Sequence, residues 1–234
     1  MLSIVVPAYN ESGRLPGSLR RIREHFDAAG EEYEVIVVDD GSADDTHAAA
    51  CALADGWPQL SVVRFDRNRG KGAAVREGML RARGVHRLFT DADLSTPLEE
   101  LPRLRAELQG STHVAVASRG LADSQIEVHQ QMRRELMGRT YNRLLQVLVL
   151  PGIHDSQCGF KVFTADAAVA CFEPLRTMRF GFDAEVLLRA QGMGWRIAEV
   201  PVRWRHVEAS RVNSVRDASR MLFDLLLLRV RRAR

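Results

Sequence analysis

The sequence predicts an α/β fold in which a mostly parallel β-sheet is flanked by helices. Short segments rich in β-branched residues alternate with segments in which apolar residues recur at helical spacing. Clusters of polar residues follow several of the apolar segments. This alternation is typical of a doubly wound sheet, in which ligands bind at the carboxyl ends of the strands.

The first half of the chain contains the clearest elements. Five strands are predicted there, at residues 3–6, 34–38, 61–65, 87–90 and 113–118. Four helices are predicted between them, at residues 15–28, 46–54, 73–83 and 98–108. Residues 42–45 resemble a capping box at the start of the second helix.

The second half is less regular. A long helical pattern runs from about residue 130 to residue 149, where Pro151 and Gly152 end it. The elements predicted after it are a polar loop at 155–161, a helix at 184–192, a strand at 196–203 and a last helix at 215–232.

Length and composition favour one folded domain. The 234 residues suffice for one sizeable core or two small ones, and no linker, repeat or low-complexity segment divides them. We expect a single domain over residues 1–234, with one functional half at 1–93 and a second at 94–234. The net charge of +3 is too small to predict a nucleic-acid partner.

The sequence also bears on cellular location. The chain begins directly with an apolar strand, so no signal peptide or N-terminal anchor is expected. The longest apolar runs, residues 144–150 and 225–228, are far shorter than the roughly 20 residues of a membrane span. Three cysteines without metal or redox spacing indicate reduced thiols. We therefore expect a cytoplasmic protein that is not integral to a membrane.

Two aspartates, Asp91 and Asp93, follow the fourth predicted strand. On an extended backbone, residues at i and i+2 point to the same side. Carboxylates this close repel each other unless a cation lies between them, and Mg²⁺ or Mn²⁺ prefers oxygen ligands. The pair favours a site for a metal and the diphosphate of an activated substrate, although paired aspartates also occur in solvated turns.

Two further polar clusters follow the second and third strands. Asp39 and Asp40 precede Gly41, where they are placed either to accept hydrogen bonds from a nucleoside or to form a turn and helix cap. Residues 68–72, which include Lys71, bring cationic donors to a helix start, where exposed N–H groups favour an anion. The alternative for this segment is a solvated basic turn.

The order of these motifs along the chain gives the strongest indication of fold and function. Residues 7–11 (PAYNE), 38–42 (VDDGS), 68–72 (NRGKG) and 91–93 (DAD) follow successive predicted strands. In this order they resemble the nucleotide-sugar half of the inverting GT-A glycosyltransferases of family 2. The resemblance implies a Rossmann-like GT-A fold.

The resemblance continues through the second half. Residues 155–163 (DSQCGFKVF), 182–188 (FDAEVLL) and 208–211 (EASR) are similar to motifs of the dolichyl-phosphate β-glucosyltransferases within that family. Arg211 stands where this group commonly has lysine. Eukaryotic members of the group also carry an N-terminal membrane anchor, which we do not expect here.

The resemblance implies metal-dependent, inverting transfer of glucose from UDP-glucose to a polyprenyl phosphate of the dolichyl type. A GDP-mannose-dependent polyprenyl-phosphate mannose synthase and a family 2 transferase with a soluble acceptor remain alternatives. A nucleotidyltransferase shares a similar platform, but its usual Gly-rich loop after the first strand is poorly matched by residues 8–14.

The resemblance also implies roles for individual residues. The expected nucleotide-binding residues are Pro7, Ala8, Tyr9, Glu11, Asp39, Asp40, Gly41, Lys71 and Ala92. The expected catalytic residues are Asp91, Asp93, Asp155 and Asp183, and the first two are also the expected ligands of Mg²⁺ or Mn²⁺. The expected contacts of the acceptor phosphate are Arg119, Arg133, Lys161 and Arg211.

Several of these assignments have alternatives. Arg133 and its neighbour Arg134 are equivalent candidates from sequence. Asp155 and Asp183 are placed either to act as a base, to orient Lys161 or to form structural ion pairs. His206 is a further candidate metal ligand, with a packed or solvated histidine as the favoured alternative.

The last predicted helix combines apolar residues with clustered arginines between residues 215 and 234. A basic amphipathic helix of this kind either lies in the headgroup layer of a membrane or packs on the core with a solvated basic tail. The first alternative predicts a peripheral protein on the cytoplasmic face of the membrane.

Overall fold

The structure, a computed structural model, describes residues 1–128 and 132–207, apart from the side chains of residues 133–135 and 139. Its first half alternates strands with helices, as predicted. The elements are β1 (Leu2–Ala8), α1 (Leu15–Ala29), β2 (Tyr33–Asp39), α2 (Thr46–Ala54), β3 (Leu60–Arg64), α3 (Lys71–Arg81) and β4 (His86–Thr90). The four strands pair in parallel in the order β3-β2-β1-β4.

The described part of the second half extends this sheet. A 3₁₀ turn (Leu98–Glu100) leads into the remaining elements, which are α4 (Leu101–Ala106), β5 (Thr112–Ser118), β6 (Gln125–Val128), α5 (Met132–Leu148), β7 (Phe160–Thr164), α6 (Ala165–Phe172), α7 (Phe182–Gly192), β8 (Arg196–Pro201) and β9 (Arg203–Arg205). The complete order of the seven-stranded sheet is β3-β2-β1-β4-β7-β5-β8. This mostly parallel sheet confirms the predicted fold class.

The loop predicted at residues 155–161 is present as far as Gly159. Strand β7, which was not predicted, takes in its last two residues. It runs antiparallel to its neighbours β4 and β5 and is the one antiparallel strand of this sheet. Lys161 is its second residue, lies opposite Phe89 and is buried. Burial of this charged side chain depends on partners, chiefly the distant Asp183, which the local sequence does not show. Helix α6, which follows β7 directly, was not predicted either.

The predicted strand at residues 196–203 is two strands in the structure. Strand β8 pairs with β5 and ends at Pro201, and β9 then pairs in parallel with β6 in a separate two-stranded sheet. The short strand β6 was not predicted, because its mostly exposed residues carry little hydrophobic signal.

The sheet is covered on both faces. All seven residues of β1 are buried, and alternate side chains serve opposite layers. Ile4 packs in the core that includes Leu15 of α1, whereas Val5 packs in the core that includes Phe163 and Phe182. Among the described residues, no helix is long and apolar enough to cross a membrane.

Candidate active site

A cleft of about 320 Å³ opens at the carboxyl ends of β1, β2 and β4. This is the edge at which parallel α/β sheets bind ligands. The residues that line the cleft are Pro7, Ala8, Tyr9, Glu11, Arg14, Asp40, Asn68, Gly70, Lys71, Ala74, Asp91, Ala92, Asp93, Arg179 and Phe180. Seven of the nine predicted nucleotide-binding residues therefore lie together, and Asp39 and Gly41 are the two outside this lining.

The predicted metal-binding aspartates both line the cleft. The Nζ atom of Lys71 lies 2.6 Å from Oδ1 of Asp91, and Oδ1 of Asp93 accepts a hydrogen bond of 3.0 Å from the backbone N–H of Ser95. In residues 1–128 and 132–207, no three His, Cys, Asp or Glu side chains gather as a metal cluster. The two carboxylates are hard oxygen donors of the type that Mg²⁺ and Mn²⁺ prefer, so they fit such an ion as a partial ligand set.

Asp91 lies against the entrance of β7. Its backbone N–H donates a hydrogen bond of 3.0 Å to the carbonyl oxygen of Gly159. A Cβ atom at position 159 would lie only 2.0 Å from Oδ2 of Asp91. Glycine at this position therefore allows the second half of the chain to pack directly against the aspartate of the first half.

Lys71 is the first residue of α3, and the turn before it depends on Gly70. The backbone φ of Gly70 is 106°, and a Cβ atom there would lie 2.4 Å from the carbonyl oxygen of Met178. That carbonyl also accepts a hydrogen bond of 3.1 Å from the backbone N–H of Ala73. The segment between α6 and α7 thus docks on the start of α3 and brings Arg179 to the cleft.

The charge state of Lys71 follows from its neighbours. Burial lowers the pKa of the ammonium group, but the carboxylates of Asp91 and Asp183 more than offset this effect, so the pKa of Lys71 is raised. The Nζ atom also lies 5.3 Å from the centre of the Phe89 ring, within the range of a cation–π contact. Lys71 is therefore a stable cation on the cleft wall.

Asp40 holds the loop before α3. Its carboxylate accepts hydrogen bonds from Nδ2 of Asn68 (2.9 Å) and from the backbone N–H groups of Arg69 (2.6 Å) and Gly70 (2.8 Å). Burial raises the pKa of this carboxyl group, and these backbone donors act in the opposite direction. Asp40 thus links the polar cluster that follows β2 to the polar cluster that follows β3, both of which were predicted from the sequence.

Asp39 is more enclosed than Asp40. Its Oδ1 accepts a hydrogen bond of 3.0 Å from the backbone N–H of Ser42 and a second from the Ser42 hydroxyl. Its Oδ2 has no hydrogen-bond partner in the described part of the chain, and Nε of Arg64 lies 3.4 Å away. The Ser42 contacts are those of the turn that was the sequence-based alternative to nucleoside binding.

Two ion pairs with buried carboxylates contain four more of the predicted residues, namely Arg119, Asp155, Lys161 and Asp183. Nε of Arg119 donates to Asp155 at 2.6 Å and Nη2 at 2.9 Å, and the backbone N–H of Arg119 donates to the same carboxylate at 3.0 Å. Burial raises the pKa of Asp155, but the Arg119 guanidinium outweighs it and holds the value well below its usual range. The guanidinium also lies 5.3 Å from the Trp204 ring.

The second pair lies inside the core. Nζ of Lys161 donates hydrogen bonds to Oδ1 of Asp183 at 2.5 Å and to the carbonyl oxygen of Cys158 at 2.6 Å. Both charged side chains are buried, and burial raises the pKa of Asp183 despite the neighbouring lysine. This contact fits two of the roles considered from the sequence, orientation of Lys161 and a structural ion pair.

His206 does not line the cleft, and two other predicted residues cannot be placed relative to it. The side chain of Arg133 and the whole of Arg211 lie outside the described residues, as do residues 215–234. The ring of His206 stacks on Trp204, with the ring centres 6.2 Å apart, and its backbone N–H donates to Val128.

Sequence reasoning missed four residues of the cleft lining, namely Arg14, Ala74, Arg179 and Phe180. Arg179 and Phe180 reach the cleft through a contact between Met178 and Gly70, which are far apart in the chain, so no local pattern indicates them. Arg14 lies between the first motif and α1, and its position close to Glu11 was the available signal.

The chain matches the family model for glycosyl transferase family 2 over residues 3–172. It therefore belongs to glycosyltransferase family 2, and it is a glycosyltransferase. This confirms the predicted family and enzyme class.

Its curated relatives include dolichyl-phosphate beta-glucosyltransferases. The Homo sapiens enzyme is 35% identical over 243 residues, which cover 98% of this chain and 75% of the relative. The Dictyostelium discoideum enzyme is 32% identical over 242 residues, covering 98% and 74% of the two chains. The resemblance predicted from the second-half motifs thus extends over nearly the whole chain.

Solved structures share the fold. A mycobacterial protein superposes with a TM-score of 0.74 and 23% identity, covering 98% of this chain and 74% of that chain. Glucosyl-3-phosphoglycerate synthase from Mycobacterium tuberculosis, in complex with Mn²⁺ and UDP-glucose, has a TM-score of 0.69 and 19% identity, covering 98% and 78%. At these identities the likeness shows the fold alone, which is the predicted GT-A fold.

Proposed function

We propose that this protein transfers glucose, with inversion, from UDP-glucose to a polyprenyl phosphate of the dolichyl type. The observation that carries the proposal is the match over 98% of the chain to relatives named dolichyl-phosphate beta-glucosyltransferase. The cleft at the carboxyl ends of the strands supports it, because its lining combines a paired-aspartate wall with three cationic side chains.

The donor would bind in the cleft. The cationic side chains at its wall, Lys71, Arg14 and Arg179, suit a diphosphate, and Asp91 and Asp93 would hold Mg²⁺ or Mn²⁺. When bound, the metal neutralises the negative charge that builds on the departing nucleoside diphosphate. Lys71 would contribute to the same neutralisation, because its neighbours keep it protonated.

The acceptor needs no strong general base. The second pKa of a phosphate monoester is about 6, so its oxygen is largely ionised near neutral pH. This oxygen would attack the anomeric carbon as the bond to the UDP oxygen breaks, and no proton has to move in that step. Arg119, held by Asp155 near the end of β5, is the described residue that we assign to orienting the acceptor phosphate.

The location would follow from the acceptor. A polyprenyl chain lies in a bilayer while its phosphate lies at the surface, so the enzyme would act as a peripheral protein on the cytoplasmic face. Residues 215–234, with their clustered arginines and apolar residues, are the proposed contact with the headgroups.

The test is an assay with purified protein, Mg²⁺ and a short polyprenyl phosphate, supplied separately with UDP-glucose and GDP-mannose. The proposal expects lipid-dependent release of UDP together with a glucosylated lipid. Lipid-dependent release of GDP would instead assign the protein to mannose transfer. Release from neither donor would overturn the lipid-phosphate acceptor, and a soluble phosphorylated acceptor would then be tested.

A further inference from the structure

Arg14 has an unusual environment for a residue at the start of a helix. It lines the cleft beside Glu11, and its Nε and Nη2 atoms donate to the two carboxylate oxygens of Glu11. Its third nitrogen, Nη1, is buried and has no hydrogen-bond partner within the described part of the chain. A buried guanidinium N–H without an acceptor is costly, so such a group calls for an anionic partner.

The protein itself offers poor partners for Nη1. Asp91 and Asp93 line the same cleft as Arg14. No hydrogen bond joins Nη1 to either aspartate in the described residues. Asp91 is already paired with Lys71 at 2.6 Å. The acceptor for Nη1 is therefore expected to be part of a ligand.

We propose that Arg14 is a diphosphate-binding residue of the donor site and that Glu11 positions it. The guanidinium fork matches the geometry of phosphate oxygens, and its attachment to Glu11 fixes the orientation before the ligand enters. Arg14 and Lys71 would hold the diphosphate as two cations of the same cleft wall. The identity of the nucleotide in this assignment rests on the proposed function, whereas the assignment of Arg14 to a diphosphate does not.

The test compares binding of a nucleoside diphosphate with binding of its nucleoside. Titration calorimetry in Mg²⁺ would measure UDP and uridine, and separately GDP and guanosine, on the wild type and on Arg14→Gln. Arg14→Gln is expected to lower the affinity for the diphosphate by about tenfold to a hundredfold and to leave the affinity for the nucleoside unchanged. Arg14→Lys should recover only part of the loss, because an ammonium group lacks the fork.

A matched control is Arg105→Gln. Arg105 pairs with Glu31 at 2.5 Å and is about as exposed as Arg14, but it does not line the cleft. Arg105→Gln should leave the affinities for the diphosphate and for the nucleoside unchanged. Equal melting temperatures of the two variants would show that the loss on Arg14→Gln is not a loss of fold.

A separate measurement, UDP binding by Glu11 variants, tests whether Glu11 positions Arg14. Glu11→Gln should weaken UDP binding less than Arg14→Gln does, and the double variant should be no weaker than Arg14→Gln alone. Additive losses would overturn the role of Glu11 in holding Arg14.

The remaining outcomes separate Arg14 from the proposed donor. Preference of the wild type for GDP over UDP would overturn the proposed donor. The comparison of GDP with guanosine would then still test the role of Arg14. Equal losses for diphosphate and nucleoside, or no loss, would overturn the assignment of Arg14. A wild type that binds neither diphosphate would overturn the diphosphate site and Arg14 with it.

Discussion

Gly159 and Asp91 are in contact across the two halves of the chain, and the contact leaves no room for a side chain at position 159. The backbone N–H of Asp91 donates to the Gly159 carbonyl oxygen, and a Cβ atom at 159 would lie 2.0 Å from Oδ2 of Asp91. The position of a proposed metal ligand therefore depends on a glycine 68 positions further along the sequence.

Gly159→Ala should displace the Asp91 carboxylate and lower kcat/KM by about a hundredfold, since misplacement of a catalytic group by about 1 Å has effects of that size. The measurement is steady-state turnover of UDP-glucose with a polyprenyl phosphate. Gly17→Ala is the control, because a Cβ atom there meets nothing within 4 Å. Unchanged turnover in Gly159→Ala would show that Asp91 does not need its present position.

Asp93→Asn should lower kcat by about a hundredfold to ten-thousandfold, because a metal supplies several kcal/mol of charge stabilisation in the transition state. Binding of uridine should persist, since the nucleoside does not need the metal. The measurements are turnover and uridine calorimetry, with the exposed Asp123→Asn as control. Full turnover of Asp93→Asn, or of the wild type after removal of divalent ions by a chelator, would contradict the metal assignment.

The Lys161–Asp183 pair offers a test of stability. Lys161→Met leaves the Asp183 carboxylate buried without its partner at 2.5 Å, so the free energy of unfolding should fall by about 3–5 kcal/mol. Replacing both residues with apolar ones, as Lys161→Met with Asp183→Leu, should recover most of this loss. Urea unfolding measures both effects.

The same pair of variants separates a structural from a catalytic role. A stable but inactive double variant would assign the pair to the reaction, and a stable, active one would assign it to the core. A loss below about 1 kcal/mol in Lys161→Met would contradict the burial of the pair, because only solvent-exposed ion pairs contribute so little.

The elements that sequence reasoning predicted correctly are those that local pattern determines. Strands β1 and β2 are continuous apolar runs buried on both faces, and α1 repeats apolar residues at helical spacing, so each was predicted with its bounds within a few residues. The carboxyl-edge site was predicted for the same reason, since polar residues directly after buried strands meet at one edge of a parallel sheet.

The elements that were missed depend on distant contacts. The predicted loop took in the first two residues of β7, because the buried charge of Lys161 depends on Asp183, which lies 22 positions away. Arg179 reaches the cleft because Met178 contacts Gly70. Arg14 lies three positions after the first motif, but its significance lies in an Nη1 atom with no hydrogen-bond partner among the described residues, which no sequence pattern shows.

Asp44 connects the loop after β1 to the start of α2. Its carboxylate accepts hydrogen bonds from the backbone N–H groups of Thr46 (3.0 Å) and Ser12 (3.2 Å) and from the Ser12 hydroxyl (2.8 Å). Burial raises the pKa of Asp44, but the hydrogen bonds from Thr46 and Ser12 together outweigh it and lower the pKa to about 2. A carboxyl group with a lowered folded-state pKa stabilises the protein above its unfolded-state pKa of about 3.9.

Asp44→Asn should therefore lower the free energy of unfolding by about 1 kcal/mol at pH 6, because the carboxylate accepts charge-assisted hydrogen bonds that an amide replaces poorly. The difference from the wild type should disappear as the pH falls from about 4 to about 2, since the wild-type group then becomes protonated. Urea unfolding of the variant and the wild type at a series of pH values measures this difference in the free energy of unfolding. Asp45→Asn is the neighbouring control, because this exposed residue makes no side-chain cap hydrogen bond. A difference that stays constant down to pH 2 would show that ionisation of Asp44 does not stabilise this loop.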